Sequence, residues 1–201
     1  MIKKIISALI LSAFLSIFVI AQSDDDYKKV EFFVGYSNGQ ASDGKTYNGF
    51  NISSVYNVSR YIGIKADFSG GYSNSRESFQ TLTGGVGQTF TFDSKRSIYN
   101  VLGGIQIKDN GSKARFKPFV HALGGLGHRK FETKNSTCTP GPLTCTNSSF
   151  NQTGFAAALG GGLDIRMNSK LSFRAFQIDY NPMIFNGRTD NNARFGTGFV
   201  F

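Results

Sequence analysis

The chain has 201 residues, a formal net charge of +9, 24 glycines, 20 phenylalanines and no tryptophan. This length fits a single domain, and a composition rich in Gly, Phe, Ser, Asn and Thr favours strands and turns over a helical protein. The basic charge favours an anionic partner. Because the first residues mark an exported chain, we expect that partner to be lipopolysaccharide or a cell surface and not nucleic acid.

The N-terminus has the pattern of a secretory signal peptide. Lys3 and Lys4 precede an apolar run over residues 5–20, and Val19 and Ala21 place small residues at the minus-three and minus-one positions before the expected cleavage site after Ala21. An uncleaved anchor helix is the alternative, but the run is short for a membrane span of about 20 residues. No cysteine follows it, which argues against a lipoprotein. We expect a signal peptide over residues 1–21 and a periplasmic leader over residues 22–29, which includes the acidic run Asp24–Asp26.

The last nine residues form a strand with one aromatic face. Phe195, Phe199 and Phe201 alternate with Arg194, Gly196, Gly198 and Val200. An exposed strand of this kind promotes aggregation in a soluble protein, but it suits the closing strand of a barrel whose outer face meets lipid. The pattern resembles the C-terminal assembly signal of bacterial outer-membrane proteins, and we assign Phe195, Phe199 and Phe201 to it.

Alternation of apolar and polar residues predicts eight strands in the mature chain. The clearest is the third, in which Ile62, Ile64 and Phe68 oppose Lys65 and Asp67. The predicted strands cover residues 30–37, 47–58, 61–72, 97–107, 117–129, 153–166, 171–180 and 193–201.

The seventh strand changes phase in its middle. Leu171 and Phe173 follow one alternation, whereas Phe176 and Ile178 follow the other. A β-bulge near Ala175–Phe176 would restore all four to one face, because a bulge inserts one extra residue. The alternative is that Phe176 and Ile178 point inward.

The connections between predicted strands alternate in length. Those at residues 57–60, 108–116 and 167–170 are short, whereas those at residues 39–46, 73–96, 130–152 and 181–191 are longer. Long outer loops and short periplasmic turns are typical of outer-membrane barrels. The sequence therefore predicts an all-β, eight-stranded antiparallel up-and-down transmembrane barrel over residues 30–201, with both termini in the periplasm.

This layout resembles the small eight-stranded outer-membrane barrels of the OmpA and opacity-protein type. The most specific segments are Leu171-Ser-Phe-Arg-Ala-Phe-Gln-Ile-Asp-Tyr180 and Asn191-Asn-Ala-Arg-Phe-Gly-Thr-Gly-Phe-Val-Phe201, which resemble the last hairpin of that family. The resemblance implies a location in the outer membrane, with membrane lipid and the barrel-assembly machinery as partners. It implies no ligand, because such barrels serve as adhesins, anchors, resistance proteins and, in a few cases, enzymes.

The only two cysteines, Cys138 and Cys145, flank a Pro-Gly-Pro turn in the predicted loop 130–152. In an oxidising compartment such a pair favours a local disulfide, and two free thiols are the alternative.

Sequence patterns for catalysis are weak. Glycine clusters near residues 84–87, 124–127 and 160–162 lack the following helix and Lys-Ser/Thr of a phosphate-binding loop. His121 and His128 are the only histidines, and no serine lies two residues after His121, as a lipid A deacylase would require. We expect no catalytic, cofactor-binding or metal-binding residues.

The in-strand charges share the face opposite the aromatic one, and that face lines the narrow interior of the barrel. Both signs occur there, so we expect a paired ionic network without a continuous pore, with Arg174 and Arg194 as neighbours. A hydrated lumen with solvated charges is the alternative. The expected members are Glu31, Lys65, Asp67, Asp164, Arg166, Arg174, Asp179 and Arg194.

The favoured function is therefore a monomeric structural or surface-interaction (adhesin-like) barrel whose long, basic, disulfide-pinned loops meet a host or cell-surface ligand. Transport or binding of a small solute or hydrophobic ligand through the barrel is the alternative. A soluble lipocalin-like fold is disfavoured, since it needs an apolar interior, and a lipid-modifying enzyme is not expected.

Overall fold

A computed structural model describes residues 27–42, 44–83, 86–139 and 147–201. The predicted signal peptide, its cleavage site and Asp24–Asp26 lie outside the described residues. Among the described residues there is no helix of the length and apolarity needed to span a membrane. The strands there are β1 (Val30–Gln40), β2 (Thr46–Asn57), β3 (Ile62–Thr83), β4 (Val86–Lys108), β5 (Phe116–Thr139), β6 (Ser149–Arg166), β7 (Ser172–Tyr180), β8 (Met183–Phe185), β9 (Arg188–Asp190) and β10 (Ala193–Val200).

Eight of these strands close into a ring of antiparallel neighbours. The order runs from β1 through β7 to β10, and β10 pairs with β1. Beyond the end of β10, the amide of Phe201 donates to the carbonyl of Phe32 at 2.8 Å, and Phe32 donates back at 3.0 Å. A closed ring leaves no unpaired edge, which the bilayer core requires of any sheet that crosses it. The predicted eight-stranded antiparallel barrel is confirmed.

The predicted alternation sets which side chains face outward. In β3, Ile64 is 57% exposed, whereas Lys65 is 1% exposed. The same holds in β5, where Val120 is exposed and the adjacent His121 is buried. Tyrosines occupy the outer surface near both ends of the apolar band, as in the aromatic girdles of outer-membrane barrels: Tyr36, Tyr72, Tyr99 and Tyr180 at one end, and Tyr56 and Tyr61 at the other.

The predicted bulge in β7 is confirmed. Arg174 pairs with Asp164 and Phe176 pairs with Leu163, so Ala175 is the extra residue opposite two consecutive residues of β6. The register against β10 shifts at the same place. As a result, Phe173 and Phe176 share the outer face while Arg174 and Gln177 are both buried.

The barrel has two unequal ends. The turns β2–β3, β4–β5 and β6–β7, together with both ends of the described chain, lie at what we call the short end. We call the opposite end the long end. The strands β3, β4 and β5 are 22, 23 and 24 residues long in total. Roughly 10 residues suffice for a strand to cross the bilayer. These strands therefore continue well beyond it.

This corrects the expected loops at residues 73–96 and 130–152. The ladder between β3 and β4 is continuous from Ile62↔Ile107 to Thr83↔Val86, and β4 pairs with β5 as far as Thr89↔Thr139. We call the part of β3, β4 and β5 beyond the bilayer the extension. Alternation of apolar and polar residues does not reveal these strands in the extension, because both of its faces meet water. Its cross-strand contacts are local, such as the Phe79–Phe90 ring stack at 5.0 Å.

The connection at residues 181–191 contains the small hairpin β8–β9, which the sequence analysis treated as a loop. Asn186 and Gly187 form its turn, with φ values of +49° and +75°. Asn-Gly with both residues left-handed is the usual two-residue hairpin turn. That dipeptide was the sequence signal for the hairpin. β8 pairs with Phe155 and Ala156 of β6 and folds over the long end of the interior.

Candidate functional site

The barrel interior contains a cluster of buried charges, here called the ionic cluster. Each member lies on an inward position of a ring strand, and each is at most 6% exposed. The members are Glu31, Lys65, Asp67, Lys108, His121, Asp164, Arg174, Asp179 and Arg194.

Arg174 connects the part of the cluster nearest the short end. Its guanidinium contacts both carboxylate oxygens of Asp164, at 2.8 and 3.2 Å. Lys108 Nζ donates to the same carboxylate at 3.1 Å and also forms a close ion pair with Glu31. Arg174 Nη1 then donates to Gln177 Oε1 at 2.7 Å. Arg174 and Lys108, which share the carboxylate of Asp164, thus join residues from β1, β4, β6 and β7.

Arg194 connects the other part of the cluster. Its guanidinium donates to Asp179 Oδ2 at 2.9 and 2.7 Å and to Asp67 Oδ1 at 2.8 Å. Gln177 Nε2 donates to Asp179 at 2.8 Å, so it links the two arginines through one amide and one carboxylate. His121 Nε2 lies 3.0 Å from Asp179 Oδ1, and its Nδ1 lies 3.2 Å from Lys65 Nζ.

The signs within the cluster balance. Lys65, Lys108, Arg174 and Arg194 face Glu31, Asp67, Asp164 and Asp179, and every one of the four carboxylates has a cation within 3.1 Å. Such pairing is what makes buried charges tolerable, because an unpaired one costs several kcal/mol. Arg174 and Arg194 are joined through Gln177 and Asp179 rather than in direct contact.

The cluster differs from the expected set at one cation. Arg166 is the last residue of β6, so its side chain lies at the mouth of the short end, half-buried. Among the described residues no carboxylate lies within ion-pair distance of it. Lys108 takes the expected place, because β4 extends one residue past the predicted strand end at 107 and remains in phase with Gln106.

Aromatic rings and a glycine fit closely around the cluster. The guanidinium of Arg174 lies 4.4 Å from the ring centroid of Phe33 and 4.1 Å from that of Phe119, within the range of cation–π attraction. A Cβ atom on Gly160 would lie 2.2 Å from Asp179 Oδ1. Glycine at this position therefore leaves the space that the carboxylate fills.

A second buried group, the apolar cluster, lies toward the long end against β4, β5 and β6. Met183 and Phe185 of the β8–β9 hairpin are each 2% exposed. They pack there with Leu102, Leu123, Ala156 and Ala158. The interior is thus filled by charged pairs near its middle and by apolar side chains under the hairpin.

Comparison with known proteins identifies the family. The model of the outer membrane protein beta-barrel domain matches residues 7–201. The chain belongs to this family. Membership places the barrel domain in the outer membrane and agrees with the closed ring and its apolar outer band.

Solved structures of low sequence identity share the barrel fold. Ail of Yersinia pestis, crystallised with the heparin analogue sucrose octasulfate, has 18% identity and a TM-score of 0.50, over 86% of this chain and 97% of that one. A major outer membrane protein of Thermus thermophilus has 13% identity and a TM-score of 0.50, over 86% and 99%. A sequence comparison with curated proteins gives no match.

The long end of the barrel domain carries paired surface charge. Among its described residues, eight cations face four carboxylates: Lys45, Arg76, Lys95, Arg96, Arg129, Lys130, Lys134 and Arg188 against Glu77, Asp93, Glu132 and Asp190. Hydrogen bonds from Lys130 and Lys134 lower the pKa of Glu132 below its ordinary value. The surface remains basic after all four carboxylates are paired.

The residues assigned to the assembly signal lie on the lipid-facing side of the barrel domain. Phe195, Phe199 and Phe201 are 42%, 44% and 48% exposed, and the ring of Phe199 contacts that of Phe173 at a centroid distance of 5.6 Å. The expected disulfide falls outside the described residues, since neither Cys145 nor the side chain of Cys138 is described.

Proposed function

We propose that this barrel is a surface-interaction protein, which presents the rigid, basic β-sheet extension of β3–β5 outside the cell to an anionic partner. The observation that carries the proposal is the continuation of β3, β4 and β5 as paired strands far past the bilayer. Long segments of outer-membrane barrels face outward and short turns face the periplasm, so we assign the long end to the cell exterior.

The surface of the whole long end, which includes the extension, supports an anionic partner. Cations of the long end outnumber its carboxylates two to one among the described residues, and several of them, including Lys95 on β4 and Arg188 on β9, are exposed. A basic surface of this kind attracts polyanions at long range, with strong dependence on ionic strength. A paired sheet also holds these charges in fixed positions, which reduces the entropy lost on binding.

Adhesion of intact cells tests this proposal. Cells that display the barrel should bind a surface coated with a sulfated polysaccharide more than one coated with neutral dextran. Lys95→Gln combined with Arg188→Gln should reduce this binding, and raising the salt to about 0.5 M should abolish it. Equal binding to the two coatings, or no effect of the double substitution, would contradict the proposal.

Solute transport is the competing function, and the filled interior argues against it. An eight-stranded barrel has room only for its own side chains, and the ionic and apolar clusters occupy that room. We therefore propose that there is no continuous pore. Because the sequence patterns for catalysis are weak, we also propose that the protein is not an enzyme. Single-channel recording of the purified barrel in planar bilayers decides the first point: a stable, defined conductance favours transport.

Three further assignments remain proposals: cleavage after Ala21, a disulfide between Cys138 and Cys145, and recognition of the terminal aromatics by the assembly machinery. Deletion of Phe201 should slow delivery to the outer membrane more than it weakens the finished barrel, since Phe201 adds one lipid-facing side chain. Normal delivery of the truncated chain would count against the assembly signal. The mass of the mature protein tests cleavage after Ala21. The change in that mass on alkylation, with and without prior reduction, tests the disulfide between Cys138 and Cys145.

A further inference from the structure

The short end carries a ring of positively charged side chains. Every connection at this end contributes to it, as does the segment before β1, and we call these eight residues the basic ring: Lys28, Lys29, Arg60, Lys113, Arg115, Lys117, Arg166 and Lys170. The only surface side-chain carboxylate among the described residues of this end is that of Asp109, which pairs with Arg60 at 2.9 Å.

Within the part of the chain that the structure describes, one side-chain carboxylate faces the eight cations of the basic ring, whereas four face the eight cations of the long end. Among the described residues, Lys113, Arg115 and Arg166 have no carboxylate within ion-pair distance. The sequence places Asp24, Asp25 and Asp26 before Lys28. Even complete pairing with these three would leave an excess of four positive charges. Partial desolvation lowers the pKa of the Lys28 ammonium, and repulsion from Lys108 and Lys117 adds to this.

The basic ring lies at the level of lipid headgroups. Tyr56, Tyr61 and Phe116 face outward just inside it and are 51%, 51% and 58% exposed. Amphipathic aromatic side chains of this kind mark the boundary between acyl chains and headgroups. The cations lie immediately beyond this boundary, where the phosphates of the surrounding leaflet are concentrated.

One part of the basic ring forms a groove. Arg115 and Arg166 lie side by side, because the amide of Arg166 donates to the carbonyl of Arg115 at 2.7 Å. Ile165, Met167, Asn168 and Ser169 line the remainder of the groove, and Met167 is 60% exposed. Two arginines and two apolar residues that line the same groove match a ligand with a phosphate headgroup and an acyl chain. Arginine also offers the planar donor geometry that phosphate accepts in pairs.

We propose that the groove of Arg115 and Arg166 is a binding site for an anionic glycerophospholipid of the leaflet around the short end, held by its phosphate and by its upper acyl chain. A free anion would use the guanidinium groups but gain nothing from Ile165 and Met167. The lipid also surrounds the barrel, so its local concentration at the groove is high.

The test uses the mature protein in nanodiscs of phosphatidylcholine with one-fifth phosphatidylglycerol. Native mass spectrometry of the released protein should show a ratio of retained phosphatidylglycerol to retained phosphatidylcholine well above the bulk ratio, and we call this excess the enrichment. Arg115→Gln with Arg166→Gln should lower that ratio by roughly 30-fold, since each juxtamembrane cation contributes a factor of about five. Lys95→Gln with Arg188→Gln, which removes the same charge from the long end, should leave it unchanged.

Two further measurements test the same proposal, one with a charge-retaining variant and one with a competing anion. If the glutamine variant does not fold, Arg115→Lys with Arg166→Lys retains the charge, and its enrichment should fall only in part. Inorganic phosphate at about 50 mM should not displace the lipid. Equal enrichment in the wild type and the glutamine variant, equal loss in the long-end control, or displacement by inorganic phosphate would each overturn the proposal.

Discussion

The ionic cluster and the apolar cluster fill neighbouring parts of one interior by different means. In the ionic cluster, Lys108, Arg174 and Arg194 contact the four carboxylates through directional hydrogen bonds, and Lys65 lies 3.2 Å from His121. In the apolar cluster, Met183 and Phe185 pack against Leu102, Leu123 and two alanines through apolar contacts. The first should therefore fail when one partner is lost, whereas the second should lose stability in proportion to the volume removed.

Arg174→Ala should have the largest effect on barrel stability. The substitution leaves Asp164 buried with only Lys108 as its cation and empties the space between the Phe33 and Phe119 rings. Loss of one partner from a buried ion pair costs about 3–5 kcal/mol. The temperature at which the unboiled form disappears on a gel should fall clearly, while Lys134→Ala at the exposed long end should leave it in place. Equal and negligible shifts would mean that the inward charges do not stabilise the barrel.

Met183→Ala should have a smaller effect, of about 2 kcal/mol. The cost of a large-to-small change lies toward the low end of its usual range here, because the β8–β9 hairpin can settle into part of the space. Ile184→Ala is the matched control: it lies on the same hairpin but is 43% exposed on the outer face. The same gel assay compares them. A loss as large as that of Arg174→Ala would show that the two clusters do not differ in the proposed way.

The two clusters also differ in how far the sequence predicts them. The charges of the ionic cluster stand in strands with clear alternation, so their inward facing follows from the pattern of residues such as Lys65 and Asp67. Lys108 was missed because strand ends depend on pairing with a neighbour, here Phe119, and a single strand's sequence does not contain that information. Arg166 was included for the same reason. Alternation predicts which face of the sheet a side chain occupies, but not how far along the barrel axis it lies.

The apolar cluster depends on a tertiary contact that periodicity does not encode. Met183 and Phe185 belong to a three-residue strand, which is too short for an alternation signal. Their burial follows from the position of the hairpin over β6. The extension of β3–β5 was missed for a different reason, because a sheet with water on both faces has no reason to alternate. The β7 bulge was predictable because Arg174 and Phe176 lie in the bilayer, where both faces are strictly sorted.

Gly187→Ala should affect the hairpin alone, by about 1 kcal/mol. Gly187 has a φ of +75°, which is unfavourable for any residue with a Cβ atom. Hydrogen exchange at the amides of Met183 and Asp190, which pair across the hairpin, should become faster, whereas amides next to the ionic cluster should keep their protection. Asn186→Gly removes a left-handed non-glycine residue and should leave exchange near the wild-type rate. Faster exchange throughout the barrel would mean that the hairpin and the ionic cluster unfold together.

The ion pair between Lys45 and Glu77 is the exposed counterpart of the ionic cluster and should have the smallest effect. Lys45 Nζ donates to Glu77 Oε1 at 2.8 Å, and this hydrogen bond lowers the pKa of Glu77 below its ordinary 4.5. A carboxylate whose folded pKa is depressed adds stability above its unfolded pKa, and this is lost as the pH falls through the folded value. Since both side chains are about one-third exposed, the contribution should stay below about 1 kcal/mol. An NMR titration should give a Glu77 carboxyl pKa below 4.5 that returns toward that value in Lys45→Met. Lowering the pH from 6 to 3.5 should reduce the hydrogen-exchange protection factors of the β1–β2 connection, which are corrected for the slower intrinsic exchange in acid, but not those around Arg174. An unshifted titration of Glu77, or protection that falls equally in both places, would remove the distinction between exposed and buried pairs in this barrel.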